Sequence, residues 1–294
     1  MRSKANRSLS SSKICNLEDF SHPDLLPVIR DVFAHELERF GPDFPRGHEF
    51  RKYWEVAMAV RTLVHEAGLG EDAEVLGVGA GHEPTIFHLT RFVRRVFATD
   101  LYLDPGAWEG QASASLLIDP VDFWPFEWNP RRLVVQHMDA LDLRYEDESF
   151  DGVFSSSSIE HFGGPDAVAC SLDEIWRVLK PGGVLSLSTE WRIEGPRGGP
   201  VEGGTMLFDA DDLRDLVLGE RPWSLLSPFD ESISPATLAT EQSLRDAVAH
   251  QLAESDRFGG LFTFKATQLR YPQVVLRLGP WSFTSFHVAL RKQG

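Results

Sequence analysis

From Glu74 to Thr189 short apolar runs alternate with amphipathic stretches, and no other feature narrows the fold as far. Val75 to Val78, Val96 to Asp100, Leu133 to His137, Gly152 to Ser155 and Val184 to Thr189 have the length and content of buried strands. Pro84 to Val93 and Leu172 to Leu179 carry helical spacing, the second stopped by "KPGG". This alternation predicts an α/β, doubly wound, mainly parallel sheet with helices on both faces. Right-handed crossovers then bring the strand carboxyl ends to one edge, where ligands of such sheets bind.

The flanks predict additions to that core. Leu25 to Phe40 reads as a helix, "GPDFPRG" breaks it, and "EFRKYWEVAMAVRTLVHEAGLG" reads as a second, with Trp54, Met58, Val60, Leu63 and Val64 as core candidates. Downstream, Ala210 to Leu218 and Pro235 to Glu254 read as helices, "WSLLSP" as a sixth strand and "SFTSFHVALRK" as the last. The expected division is a flexible tail over residues 1–20, an N-terminal helical segment covering the site over 21–70, and a main domain over 71–294. That domain carries insertions at about 104–131 and 231–280. The first insertion holds Trp108, Phe123, Trp124, Phe126 and Trp128. It, "HEFRKYWE" and the Gly/Pro-rich "EGPRGGPVEGG" read as lids and pocket walls.

Charge limits the partners. The formal net charge is −15, from 29 basic and 44 acidic residues, and no dense basic run offsets it. Such a field repels phosphate backbones, which argues against nucleic acid and for a small-molecule acceptor. A homodimer is allowed for. Cys15 and Cys170 make neither a disulfide framework nor a zinc set, and Cys15 reads as a thiol in the flexible start. No metal site is expected. No run reaches the roughly 18 apolar residues that span a membrane, and "MRSKANRSLSSSK" lacks an apolar segment behind its basic start. The expected compartment is the cytoplasm.

The chemistry gathers around "EVLGVGAGHEP". Gly79 and Gly81 let a ligand approach the backbone, and Pro84 suits the first position of a helix. Asp100 ends the next strand, 19 residues after Gly81, where a carboxylate can accept hydrogen bonds from ribose hydroxyls. Asp139, in "MDALDL", stands where it could reach an adenine amino group. "FDGVFSSSSIEHF" then follows a strand with small residues that leave room for a ligand.

Together "VLGVGAGHE", "FATD", "MDALDL", "FDGVFSSSSIEHF" and "VLKPGGVLSLS" resemble the class I S-adenosylmethionine-dependent methyltransferases, well from Val75 to Thr189 and weakly beyond. The resemblance is to members associated with glycan or secondary-metabolite assembly. It implies a Rossmann-like seven-stranded sheet with an antiparallel last strand, S-adenosyl-L-methionine as cofactor, and methyl transfer to an acceptor. Gly79, Ala80 and Gly81 would line the methionine part of the cofactor and Ser155 would border it. Asp100 would hold the ribose, and Asp139 and Ala140 the adenine. Gly77, Glu83, Leu101, Met138 and Ser156 complete the cofactor candidates. Two positions depart from the family pattern, which has an acid in place of Gly77, helping to receive the cofactor's ammonium, and a third glycine in place of Glu83. Glu83 either supplies a carboxylate from the other side of the turn or only favours a helix start.

Methyl transfer to oxygen needs a group to take the acceptor's proton. His161 and Glu190 are the catalytic candidates, with Trp191 as a pocket wall. Glu160 reads equally well as a surface or capping acid. O-methylation of a sugar or polyol is the leading expectation. N-methylation of a small amine, a non-catalytic cofactor-binding or partner subunit, and an NAD-dependent oxidoreductase stay open.

Overall fold

In the computed structural model, which describes residues 8–104, 111–197, 204–244 and 271–294, the alternating region becomes the centre of one sheet. Among the described residues that sheet has ten strands: β1 (Lys13–Ile14), β2 (Glu74–Val78), β3 (Arg95–Asp100), β4 (Leu133–His137), β5 (Phe150–Ser156), β6 (Leu179–Glu194), β7 (Trp223–Leu225), β8 (Gln242–Ser243), β9 (Leu276–Leu278) and β10 (Trp281–Lys292). Five parallel strands run in the order β4-β3-β2-β5-β6. β10 closes on β6 antiparallel, with Glu190 opposite Ser285.

Strand residues serve opposite faces in turn. Val75 and Phe154 enter a core built with Trp54, Met58 and Phe87, from the helices α3 and α4 described below. Leu76 and Val153 enter a second core with Val168, Leu172 and Ile175. A parallel sheet covered on both faces reads as apolar runs for this reason. The eight short α-helices are α1 (Leu26–Val32), α2 (Ala34–Phe40), α3 (Arg51–Val60), α4 (Pro84–Leu89), α5 (Ser115–Ile118), α6 (Pro165–Val178), α7 (Ala210–Asp212) and α8 (Pro235–Leu238), counted among the described residues. α3 and α7 each run on into a π-helical turn, Arg61–Glu66 and Leu213–Leu218.

Several expectations are corrected. The sheet has ten strands where seven are expected, because short segments at both ends of the chain pair onto β10 and β9. Residues 8–20 are no flexible tail: Lys13 pairs with His287, Ser11, Ser12, Ile14 and Cys15 are buried, and the Lys13 amine sits on Asp19 and the Ile14 carbonyl. A basic, Ser-rich stretch can pack here because its polar groups are satisfied from within. The Cys15 thiol is a core group, pushed up by burial. The helix expected over Leu25 to Phe40 breaks at Phe33, whose ring packs on Tyr53 with centroids 4.4 Å apart. The helix expected to reach Val93 ends at Leu89. There Thr90 turns its hydroxyl back to the Phe87 carbonyl (2.6 Å) and receives the Asn129 amide (2.9 Å).

Of the aromatic insertion, Phe123 and Trp124 are buried and Trp128 packs edge-on against Phe87, while Trp108 lies outside the described residues. Residues 198–203 of the Gly/Pro-rich stretch and 245–270 of the second insertion also lie outside them, and the helix expected over Pro235 to Glu254 ends at Leu238, before β8.

Candidate functional site

The glycine turn leaves β2 at the carboxyl edge and runs to α4. Its backbone is tied to β3: Asp100 accepts the Gly81 N–H at Oδ2 (2.8 Å) and the Leu101 N–H at Oδ1 (2.7 Å). The Tyr102 hydroxyl donates to the Gly81 carbonyl (2.6 Å) and the Thr99 hydroxyl to that of Gly77 (2.9 Å). Gly79 and Gly81 have φ of 62° and 47°, in the left-handed region. A side chain on Gly79 would meet Ser158, and one on Gly81 the Gln111 carbonyl. Ser155 bonds Ser158 (2.9 Å), and Ser156 is buried beside it with its hydroxyl unpartnered among the described residues. Past the turn, Asp100, Leu101, Asp139 and Ala140 present solvent-reachable atoms around the buried Met138.

A second group comes from α3, which packs against β5, β6 and β10. Arg51 Nη1 donates to Glu190 Oε1 (2.6 Å), Glu55 Oε1 (3.2 Å) and Ser285 Oγ (3.0 Å). Lys52 reaches Glu55 Oε2 (2.9 Å) and the Ser157 hydroxyl, which itself donates to that same oxygen (2.7 Å). Burial alone would raise the Glu55 carboxyl, yet Lys52 and Arg51 hold it below its ordinary value. The Thr189 hydroxyl donates to Glu160 Oε2 (2.6 Å), and Glu160 Oε1 stands 3.9 Å from His161 Nε2.

These surroundings set the proton chemistry. Burial, reinforced by the Glu190 charge, pushes Glu160 up to about 8. Burial pulls His161 down to about 4, and Lys52 and Arg51 add to the effect. Burial also pushes Glu83 well above the carboxylate range; Lys52 opposes this and Glu55, Asp100 and Glu160 reinforce it. Glu83 Oε2, Glu160 Oε1 and Glu190 Oε2 are all buried with no hydrogen-bond partner among the described residues.

The sequence candidates thus gather at one edge, except that Gly77 is walled in. A Cβ there would stand 2.6 Å from Phe154 Cζ. Arg51, Lys52, Glu55, Ser157, Thr189 and Ser285 join the site without having been singled out. The only signal for the first three was a charged triplet in an otherwise apolar helix, "RKYWE". Glu160 is no surface acid, being 1% exposed. A groove of about 1020 Å³ lined by Ser8, Leu9, Ser227 and Arg291 lies away from this edge, since Arg291 pairs with Val184 near the other end of β6. Among the described residues no group of three or more His, Cys, Asp or Glu side chains could hold a metal ion.

The residues present fit a nucleoside-bearing cofactor with a charged amino-acid tail. Each Asp100 oxygen keeps a lone pair beside the amide it already accepts, and an orphaned carboxylate oxygen stands by the glycine turn. Fold and turn together have the geometry of a nucleotide-cofactor site at the carboxyl edge of a doubly wound sheet. Residues 76–187 match a family described as "Methyltransferase domain". Phosphoethanolamine N-methyltransferase 2 of Haemonchus contortus, in complex with S-adenosyl-L-methionine, is similar over 95% of this chain and 59% of its own, at 17% identity and a TM-score of 0.51. The YcgJ protein from Bacillus subtilis is similar over 82% of this chain and 99% of its own, at 15% identity and a TM-score of 0.49. A chain of the complex between the Haloferax volcanii Trm112 methyltransferase activator and a methyltransferase matches over 47% and 56%, at 22% identity and a TM-score of 0.34. The match thus spans little more than half of the Haloferax and Haemonchus chains. Residues 76–187 thus match a methyltransferase domain, for which S-adenosyl-L-methionine is the cofactor expected. Among the described residues no helix is long and apolar enough to cross a membrane.

Proposed function

We propose that the chain methylates a hydroxyl of a sugar or polyol. The observation that carries this reading is the pair of orphaned carboxylate oxygens on Glu160 and Glu190 at one edge. Buried acceptors ordinarily find donors, and a ligand with several hydroxyls supplies them. Arg51 Nε, also buried and unpartnered among the described residues, can donate to an oxygen of the same ligand. When bound, the cofactor supplies the methyl group.

In this reading Asp100 takes the ribose hydroxyls, while Leu101, Met138, Asp139 and Ala140 border the adenine. Gly79, Ala80, Gly81, Ser155 and Ser156 form the floor of the methionine end, with Gly77 packed behind it against Phe154. Glu160 and Glu190 hold the proton released by the acceptor. A carboxylate whose conjugate acid titrates near 8 is a stronger base than an ordinary glutamate. His161, held near 4, is the weaker base, and its part is to orient Glu160.

The test is turnover with methyl-labelled cofactor against a panel of sugars, polyols and small amines, with products identified by mass spectrometry. Methyl ethers of a sugar or polyol support the reading. A methylated amine with untouched alcohols overturns it in favour of N-methylation.

A further inference from the structure

Glu83 has an arrangement that no packing role accounts for. It ends the glycine turn with extended backbone (φ −62°, ψ 148°), directly before α4. Its Oε2 is sealed from solvent and accepts nothing from the described residues. Leaving a carboxylate so placed costs about 1–3 kcal/mol or more. The charges that act on it most strongly belong to the carboxyl edge: Lys52 and Glu55 from α3, Asp100 from β3 and Glu160 from the turn after β5, with the Tyr102 hydroxyl feeling it in turn. Lys52 is the one cation among them, and its hydrogen bonds go to Glu55 and Ser157 instead. The usual place for an acid on β2 is closed, because Phe154 fills the space beside Gly77.

We propose that Glu83 is the counter-charge for the cofactor's α-ammonium, and that it gives up its proton to solvent when that ammonium arrives. The inference rests on the cofactor assignment and is independent of the acceptor. Binding is then coupled to ionisation. Burial among Glu55, Asp100 and Glu160 keeps the free side chain protonated near neutrality, and a cation within hydrogen-bond reach reverses that preference. The ammonium keeps its own protons and the carboxyl proton passes to buffer, so charge and atoms balance. Cofactor affinity therefore strengthens as pH rises through the titration of Glu83.

The discriminating pair of probes is S-adenosylhomocysteine, which carries the amino-acid tail, and 5′-methylthioadenosine, which lacks it. Calorimetric titration of the full chain near pH 7, in two buffers of different ionisation enthalpy, reads affinity and proton release together. The wild type is expected to release close to one proton with the first ligand and none with the second. Glu83→Gln is expected to weaken S-adenosylhomocysteine about 10- to 100-fold, abolish the proton release and leave methylthioadenosine binding unchanged. Equal loss for both ligands would assign Glu83 a structural role, and unchanged S-adenosylhomocysteine affinity would remove it from the site; either overturns the proposal. A wild type that binds neither ligand overturns the cofactor assignment itself.

Discussion

Phe154 occupies the space a side chain at position 77 would need, its Cζ standing 2.6 Å from where a Cβ on Gly77 would lie. The ring sits on the neighbouring strand, since Gly77 pairs with Phe154 in the β2–β5 register. Ala80 closes the other side at 2.9 Å. Gly77 is therefore a packing glycine, which explains why the acid of the family pattern is missing there. Gly77→Asp should lower the unfolding free energy by about 1–3 kcal/mol through overpacking, and adding Phe154→Leu should recover part of the loss. Equilibrium denaturation checks it; an unchanged midpoint would show that the ring swings aside freely.

Arg51 joins α3 to both β6 and β10 through Glu190 and Ser285. Removing it takes the 2.6 Å partner from the buried Glu190, leaving Lys52 at 3.9 Å, and leaves Glu55 with Lys52 alone. Arg51→Ala should cost about 3–5 kcal/mol, the range for breaking a buried pair from one side. The double variant Arg51→Met with Glu190→Gln should lose less than the single one. Urea titration of the three proteins measures the difference.

His287 makes stability depend on pH. The Ser11 carbonyl can only accept, so the ring carries its proton on Nδ1, and Nε2 accepts from the Ser186 hydroxyl. Burial pulls this histidine down to about 4. The native state keeps it neutral, whereas the unfolded chain protonates near the ordinary value of about 6.5. Its stability contribution is complete above that value and is lost as pH falls from 6.5 towards 4, to at most about 3 kcal/mol. His287→Gln should flatten this part of the pH–stability curve; an equally steep curve would assign the dependence to the acids.

Asp100 is half-committed already, one acceptor site on each oxygen being used by a backbone amide. Asp100→Ala should weaken both S-adenosylhomocysteine and methylthioadenosine about 10- to 100-fold, because both carry the ribose. That loss corresponds to about 1.5–3 kcal/mol for hydrogen bonds to a charged group. Calorimetry separates this pattern from that of Glu83→Gln, which should spare the ligand without a tail.

The parallel centre of the sheet was legible because β2 to β6 each carry a short apolar run that stands out without reference to partners. Asp100 was legible for a similar reason, its place at a strand end following from the run before it. Lys13 and Cys15 were misread. A lysine and three serines look solvated until Asp19 and the Ile14 carbonyl fold back onto the amine and Ser227, Pro228 and His287 arrive from the far end of the chain. Glu160 was misread as well, since one turn after a strand can face solvent or core and only packing decides.

Local pattern by itself determined that a glycine turn joins β2 to α4, that Asp100 and Asp139 stand at the same edge, and that the edge suits a nucleoside-bearing cofactor. These facts follow from period, turn chemistry and the handedness of crossovers, which act over a few tens of residues. Only the tertiary structure decided that Phe154 shuts position 77, that α3 delivers Arg51, Lys52 and Glu55 to the site, and that burial moves Glu160 up and His161 down. Those outcomes depend on which charges meet across more than a hundred residues of chain and on how much water remains between them, and no local pattern records either.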